Sequence, residues 1–128
     1  MLKSIEKARK QARKAIESLY DCTCSIYKYE KYKDSVTKET KTGINPIPKY
    51  EKQSCKVSKQ SLSKNNQTDT VNKVLYELKL FIAPELEIRQ GDILEVTNIL
   101  GVKTKYKAGE GFPYYTHKEV ILNKEDKA

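Results

Sequence analysis

The chain has 128 residues, 25 lysines and arginines against 17 acidic residues, a formal net charge of +8, and a 38% apolar share that includes nine tyrosines. That length and composition suit one compact domain with a modest core, much of whose surface faces water or partner subunits. No stretch is apolar enough to span a membrane, the amino terminus lacks the apolar core of a signal peptide, and three cysteines without an export signal point to reduced thiols.

From Leu2 to Tyr20, the apolar residues Ile5, Ala8, Ala12, Ala15, Ile16 and Leu19 recur at helical spacing within one arc, which predicts an amphipathic helix. Lys3, Lys7, Lys10 and Lys14 stripe the opposite face, with Glu6 and Glu17 beside them. Such a helix packs its apolar arc on the body and leaves its lysines to water or to an acidic neighbour. Its half-alanine arc lacks the tryptophan or phenylalanine that would anchor it in a membrane surface.

After Asp21 the period falls to two, placing Cys22, Cys24 and Ile26 on one strand face and Thr23, Ser25, Tyr27 and Tyr29 on the other. Val36 to Lys41 reads as a second, polar strand, stopped by Gly43 and Asn45-Pro46-Ile47-Pro48, and Gln53 to Ser58 as a short third. Between Lys59 and Lys73 there is almost nothing to bury, which predicts a mobile loop, functional or disordered. Val74 to Ile82 is the clearest strand, with Val74, Tyr76, Leu78, Leu80 and Ile82 on one face.

Gln90-Gly91-Asp92 punctuates before a strand at Ile93 to Ile99, and Leu100-Gly101 turns a tight hairpin into Val102 to Lys107. Ala108 to Pro113 reads as a glycine-rich turn and Tyr114 to Leu122 as a last strand, before the charged tail at 123–128. The expected fold is mainly β: a small antiparallel β-barrel or sandwich of about five to seven strands behind an N-terminal amphipathic α-helix, forming a single domain. Its core should contain Leu78, Leu80, Ile82, Ile93, Val96, Val120 and Leu122.

The candidate chemistry is thin. Cys22 and Cys24 sit one residue apart on a predicted strand, not on a metal-binding turn, so they read with Cys55 as small buried side chains and His117 as an ordinary strand residue. Gly109-Glu110-Gly111 lacks the lysine and hydroxyl of a phosphate loop. Tyr27-Lys28-Tyr29-Glu30-Lys31-Tyr32 interleaves aromatic and basic residues, a pattern of single-strand binding surfaces and also of ordinary strand packing. Arginine occurs only at Arg9, Arg13 and Arg89, so any nucleic-acid attraction rests on lysine, which neutralises phosphate without reading sequence.

Leu80-Phe81-Ile82-Ala83-Pro84, Ile88, Gly91, Val96, Gly101-Val102, Tyr106-Lys107, Gly109-Glu110 and Tyr114-Tyr115-Thr116-His117-Lys118-Glu119-Val120 carry a family resemblance, as does the basic helix followed by Tyr20-Asp21-Cys22-Thr23-Cys24. They resemble the head-to-tail connector, or head-closure (stopper), proteins of long-tailed bacteriophages of Gram-positive bacteria. None of these residues is catalytic in kind; they mark a fold more than an activity.

The resemblance implies a ring-forming virion protein of the phage neck, commonly a dodecamer, made in the host cytoplasm and acting without enzyme activity, metal or other cofactor. Its partners would be the portal or adaptor protein on the head side, the tail-terminator protein on the tail side, and packaged double-stranded DNA held nonspecifically, with no membrane involved. In that setting Lys59, Lys64, Asn65, Asn66 and Lys73 of the polar loop are expected to face the DNA channel, and Lys3, Lys7, Lys10 and Lys14 to dock a partner. The alternatives are an adaptor or tail-terminator subunit of the same neck, or an independent, nonspecific nucleic-acid-binding barrel.

Overall fold

The computed structural model describes residues 2–61 and 76–124. Helix α1 (Leu2–Glu17) is followed by strands β1 (Cys22–Tyr27), β2 (Tyr29–Lys33), β3 (Thr40–Ile44), β4 (Tyr50–Ser61), β5 (Tyr76–Ile82), β6 (Ile93–Thr97), β7 (Lys103–Pro113) and β8 (Lys118–Lys124). Six of these close into an antiparallel barrel in the order β1-β4-β5-β8-β7-β6, with β6 pairing back onto β1, while β2 and β3 form a separate two-stranded ribbon. Closure gives every barrel strand two neighbours and removes the open edges of a flat sheet. The expected small antiparallel barrel behind a helix is the observed fold.

Side chains fill the interior, as they must in so narrow a barrel. Cys24, Ile26, Cys55, Leu80, Ile82, Leu94, Val96, Ala108, Val120 and Leu122 are buried, with Leu78, Val57 and Tyr106 packed partly against them. Ile93 is a correction: Leu94 points inward in its place, because the inward set of β6 runs Asp92, Leu94, Val96. Ile93 instead faces outward beside Tyr27, Ile44, Pro46 and Lys105.

A second difference lies at Ala108 to Pro113, which continues β7 as strand instead of turning. The register slips by one residue between the pairs Ala108↔Leu122 and Gly111↔Val120, a bulge that absorbs the glycines. A side chain at Gly109 would begin 3.2 Å from the Ile121 carbonyl oxygen, so glycine is what allows β8 to lie this close. A second bulge lies in β4, where Lys52 takes a φ of 48° between the pairs Cys24↔Gln53 and Ile26↔Tyr50.

The segment 83–92 covers one end of the barrel with Leu86 and Ile88 turned inward, and two lysines hold it there. Lys118 Nζ donates to the Leu86 carbonyl at 2.7 Å, and Lys28 Nζ donates to the Glu87 carbonyl at 3.1 Å and to Asp92 Oδ2 at 2.5 Å. Asp92 Oδ1 accepts the Tyr29 amide at 2.9 Å, and Oδ2 also accepts the Arg89 amide at 2.8 Å. Lys28 and Asp92 are both buried, so their charges are tolerated only because nearly every bonding position is filled.

Helix α1 departs from the expectation of an apolar face packed on the body. Ala8, Ala12 and Ala15 are exposed, and only Arg13, Ile16 and Glu17 are half-buried. Polar contacts set that orientation: Arg13 pairs with Glu85 and Glu17, and the Arg9 guanidinium sits 4.2 Å over the Tyr115 ring.

Two substitutions test this account by chemical denaturation. Leu80→Ala should lose about 2–5 kcal/mol through the cavity it opens. Asp92→Ala should lose about 3–5 kcal/mol, because it strands a buried lysine and two amide groups; a loss within about 0.5 kcal/mol would show that the pair is not structurally required.

Candidate functional site

Because paired residues in an antiparallel ribbon share a face, the register Tyr29↔Ile44, Lys31↔Thr42 and Lys33↔Thr40 gives one face composed of Tyr29, Lys31, Lys33, Thr40 and Thr42, with Ile44 at its base. These five polar and aromatic residues are exposed, and no carboxylate shares their face. The other face carries Glu30, Tyr32 and Lys41, where Glu30 accepts from Asn45 Nδ2 at 3.0 Å. Opposite signs are thus sorted: one face presents ammonium and hydroxyl donors, the other is internally paired.

The ribbon is anchored at its base. Asp92 receives the Tyr29 amide, the Lys28 carbonyl receives the Asn45 amide at 2.9 Å, and Asn45 Oδ1 receives the Ile47 amide at 3.0 Å. At its far end Asp34 Oδ1 accepts the Val36 and Thr37 amides at 2.8 and 3.2 Å, while Oδ2 pairs with Lys41 Nζ at 2.8 Å. The Lys41 ammonium, helped by the two amides, pulls the Asp34 carboxyl down to about 2. Lys41 is therefore neutralised by its partner, whereas among the described residues no ion pair forms on Lys31 or Lys33.

Outside the ribbon, Lys103, Lys105 and Lys107 alternate on the exposed face of β7, opposite Thr97, Glu95 and Ile93 of β6. Lys59 is part of β4, where it pairs with Leu78, so strand replaces the expected loop through Ser61. Lys64, Asn65, Asn66 and Lys73 lie outside the described residues. Lys3, Lys7, Lys10 and Lys14 are exposed along α1, on a face turned away from the barrel.

The cysteines and the histidine are structurally engaged. Cys24 and Cys55 are buried, and the thiol of Cys55 is held far above its ordinary range by its hydrogen bond with Cys24 and by burial. Burial, with Asp21 alongside, pushes Cys22 up to about 11. Thiols so raised remain protonated near neutrality and make poor nucleophiles or metal ligands. His117 stacks between Phe81 and Tyr114, its ring nitrogens 2.9 Å from Thr116 Oγ1 and from Glu119 Oε2. This hydroxyl-imidazole-carboxylate chain is short and local, and it fastens the β7–β8 turn to β5. Among the described residues no group of three or more histidine, cysteine or acidic side chains is placed to hold a metal ion.

Sequence reasoning missed the residues that aim the ribbon. Lys28 was read only as one member of an aromatic-basic run and Asp92 only as a turn residue. The available signal was an acid following Gln90-Gly91 and directly preceding a strand, the position of a side chain that caps backbone amides.

No protein-family model matches the chain, and no curated protein sequence matches it. Among solved structures it is similar to the phage-like element PBSX protein xkdH from Bacillus subtilis, at 14% identity and a TM-score of 0.46, over 81% of this chain and 94% of that one. A likeness at that level assigns neither a family nor a function.

The Asp34 clasp has a definite pH dependence. Its carboxyl is depressed from an ordinary 3.8, so the stabilisation is fully present above about 4 and lost as pH falls through about 2. In an NMR titration the Val36 and Thr37 amides should move with a midpoint near 2, and Asp34→Asn should abolish that titration; a midpoint near 4 would show that the Lys41 contact is not made.

Proposed function

We propose that this chain is a structural subunit of a bacteriophage virion, specifically a ring-forming head-closure, or head-to-tail connector, protein of the neck that retains packaged DNA and joins head to tail. Two things support the reading: the resemblance carried by Leu80 to Val120, and a rigid closed barrel whose described reactive side chains are engaged in structure. The observation that carries it furthest is the carboxylate-free face of Tyr29, Lys31, Lys33, Thr40 and Thr42 on an anchored ribbon. Ammonium and hydroxyl groups on such a face suit phosphate oxygens and select no base, as retention of arbitrary DNA requires.

In this proposal the ring is commonly a dodecamer between the portal or adaptor protein and the tail-terminator protein, assembled after synthesis in the host cytoplasm. The polar segment 59–73, with Lys59, Lys64, Asn65, Asn66 and Lys73, is the part that faces the channel in this proposal. Lys3, Lys7, Lys10 and Lys14 meet an acidic neighbouring protein. Repetition around the axis lets individually weak phosphate contacts act together.

Lys31→Gln with Lys33→Gln tests the phosphate face. In duplex DNA binding by the purified chain, the slope of log K against log salt should fall by roughly two per copy. Particles built with that variant should join tails yet leak DNA. An unchanged slope with normal DNA retention would refute the DNA role of the ribbon. Strong, salt-steep binding by the isolated chain that has no effect on particles would favour an independent nucleic-acid-binding barrel.

A further inference from the structure

Among the exposed apolar side chains, two groups stand away from the proposed DNA contact. One is the tip of the β6–β7 hairpin, where Ile99 and Leu100 stand 78% and 83% exposed beside an exposed Val102. The tip is rigid: Asn98 Oδ1 accepts the Leu100 and Val102 amides at 2.9 and 3.0 Å, and Gly101 takes the left-handed φ of 82° that closes the turn. A preorganised tip loses little freedom on docking.

The other is the outward face of α1. Ile5, Ala8, Ala12 and Ala15 follow one another at spacings of three and four, and Leu19 continues the line where its amide bonds the Ile16 carbonyl at 3.0 Å. Ser4 and Gln11 flank the row, so about 140° of the helix circumference carries no charged side chain. The neighbouring edge, Arg9 to Glu17, faces the barrel and the lysine stripe faces elsewhere.

We propose that these surfaces are the two halves of one contact between copies of this chain, in which Ile99 and Leu100 of one copy seat on the alanines of α1 in the next. Local charge permits this pairing, because neither Ile99 and Leu100 nor the row Ile5, Ala8, Ala12 and Ala15 carries a charged side chain, so seating one on the other buries no ammonium group. Size favours it too: alanines between Ile5 and Leu19 leave a shallow trough for two large side chains. Placement completes the case. In the barrel order, the β4–β5 seam that holds the C-terminal turn of α1 near Ser54 and Ala83 lies opposite the β7–β6 seam that bears the hairpin, while the middle of the helix reaches Tyr115 in the β7–β8 turn. Each copy therefore presents its tip to one neighbour and its helix to the other, and a contact between unlike surfaces propagates head to tail until it closes as a ring. The inference rests on the ring-subunit reading above and supplies its lateral contact.

The test uses full-length Leu100→Glu and Ala12→Glu, both surface changes, with circular dichroism as the check on folding. In sedimentation equilibrium the wild type should self-associate as concentration rises, and each variant alone should lose about tenfold or more in association constant. An equimolar mixture should associate again, intact tip on intact helix, and stop at a dimer because its free tip and free helix are both blocked. A wild type that stays monomeric at every concentration overturns the proposal. So does a Leu100→Glu variant that associates like wild type, as does a mixture that fails to pair or grows beyond a dimer. None of these readouts involves DNA, so failure here leaves the head-closure reading standing. Particles that lose neither DNA nor tails when Lys31 and Lys33 are replaced would count against that reading alone.

Discussion

A lysine and an aspartate buried together at the end of a narrow barrel are unfavourable unless their bonding positions are filled, and that constraint organises the molecule. Lys28 leaves the end of β1, Asp92 opens β6, and between them they bind the Glu87 carbonyl and the Arg89 and Tyr29 amides. The Asp92 carbonyl also accepts the Ala108 amide at 2.8 Å, which brings β7 into the same knot. One ion pair thus joins the barrel cover, the bulged strand and the base of the ribbon. Its value is better described as geometric than as a gain in stability, because apolar groups of similar shape would fill the same space without fixing three segments in one arrangement.

The proposed surfaces follow from that fixation. A ribbon of two strands is marginal in water by itself. Here its first amide is held by Asp92 and its far end by Asp34, so the sorting of carboxylates onto one face becomes a property of the folded surface and not of a fluctuating loop. Barrel closure has a matching effect, since strands that all have two neighbours offer no open edge for another chain to extend. Neighbouring proteins must meet the barrel through side chains, and the apolar ones left outside include those on α1 and on the β6–β7 tip, with Val36, Ile47 and Phe112 exposed elsewhere.

Much of this was legible in the sequence. The two-residue period located Cys24, Ile26, Leu80, Ile82, Val120 and Leu122 on inward faces, and the helix and the Leu100-Gly101 turn follow from local pattern alone. What was not legible depends on partners distant in the chain. Ile93 and Leu94 are adjacent and equally apolar, so the phase of β6 hangs on whether Asp92 points inward, and only the buried Lys28, 64 positions away, makes that favourable. Gly109, Gly111 and Pro113 read as a turn because nothing local shows that β8 lies close enough to need a glycine bulge. The helix was expected to pack by its apolar arc because no local pattern announces that Glu85 and Tyr115 would hold its arginines instead. As for the site, its lysines and tyrosines were visible as an interleaved run, but their division into a paired and an unpaired face required the register with β3.

The position of β8 bears on how the chain reaches this state. It is the last of the described strands, yet it is inserted between β5 and β7, pairing Leu80 with Val120 on one side and Ala108 with Leu122 on the other. While residues 118–124 are still inside the ribosome, the barrel lacks a stave, and Leu80, Ile82 and Ala108 have no wall to close against. Closure therefore waits on pairings that are remote in sequence, a topology associated with folding in milliseconds to seconds. During that interval the nascent chain carries its eventual core in the open, so its high lysine content has a second use before any partner is met: like charges keep unfinished copies apart until each barrel has shut.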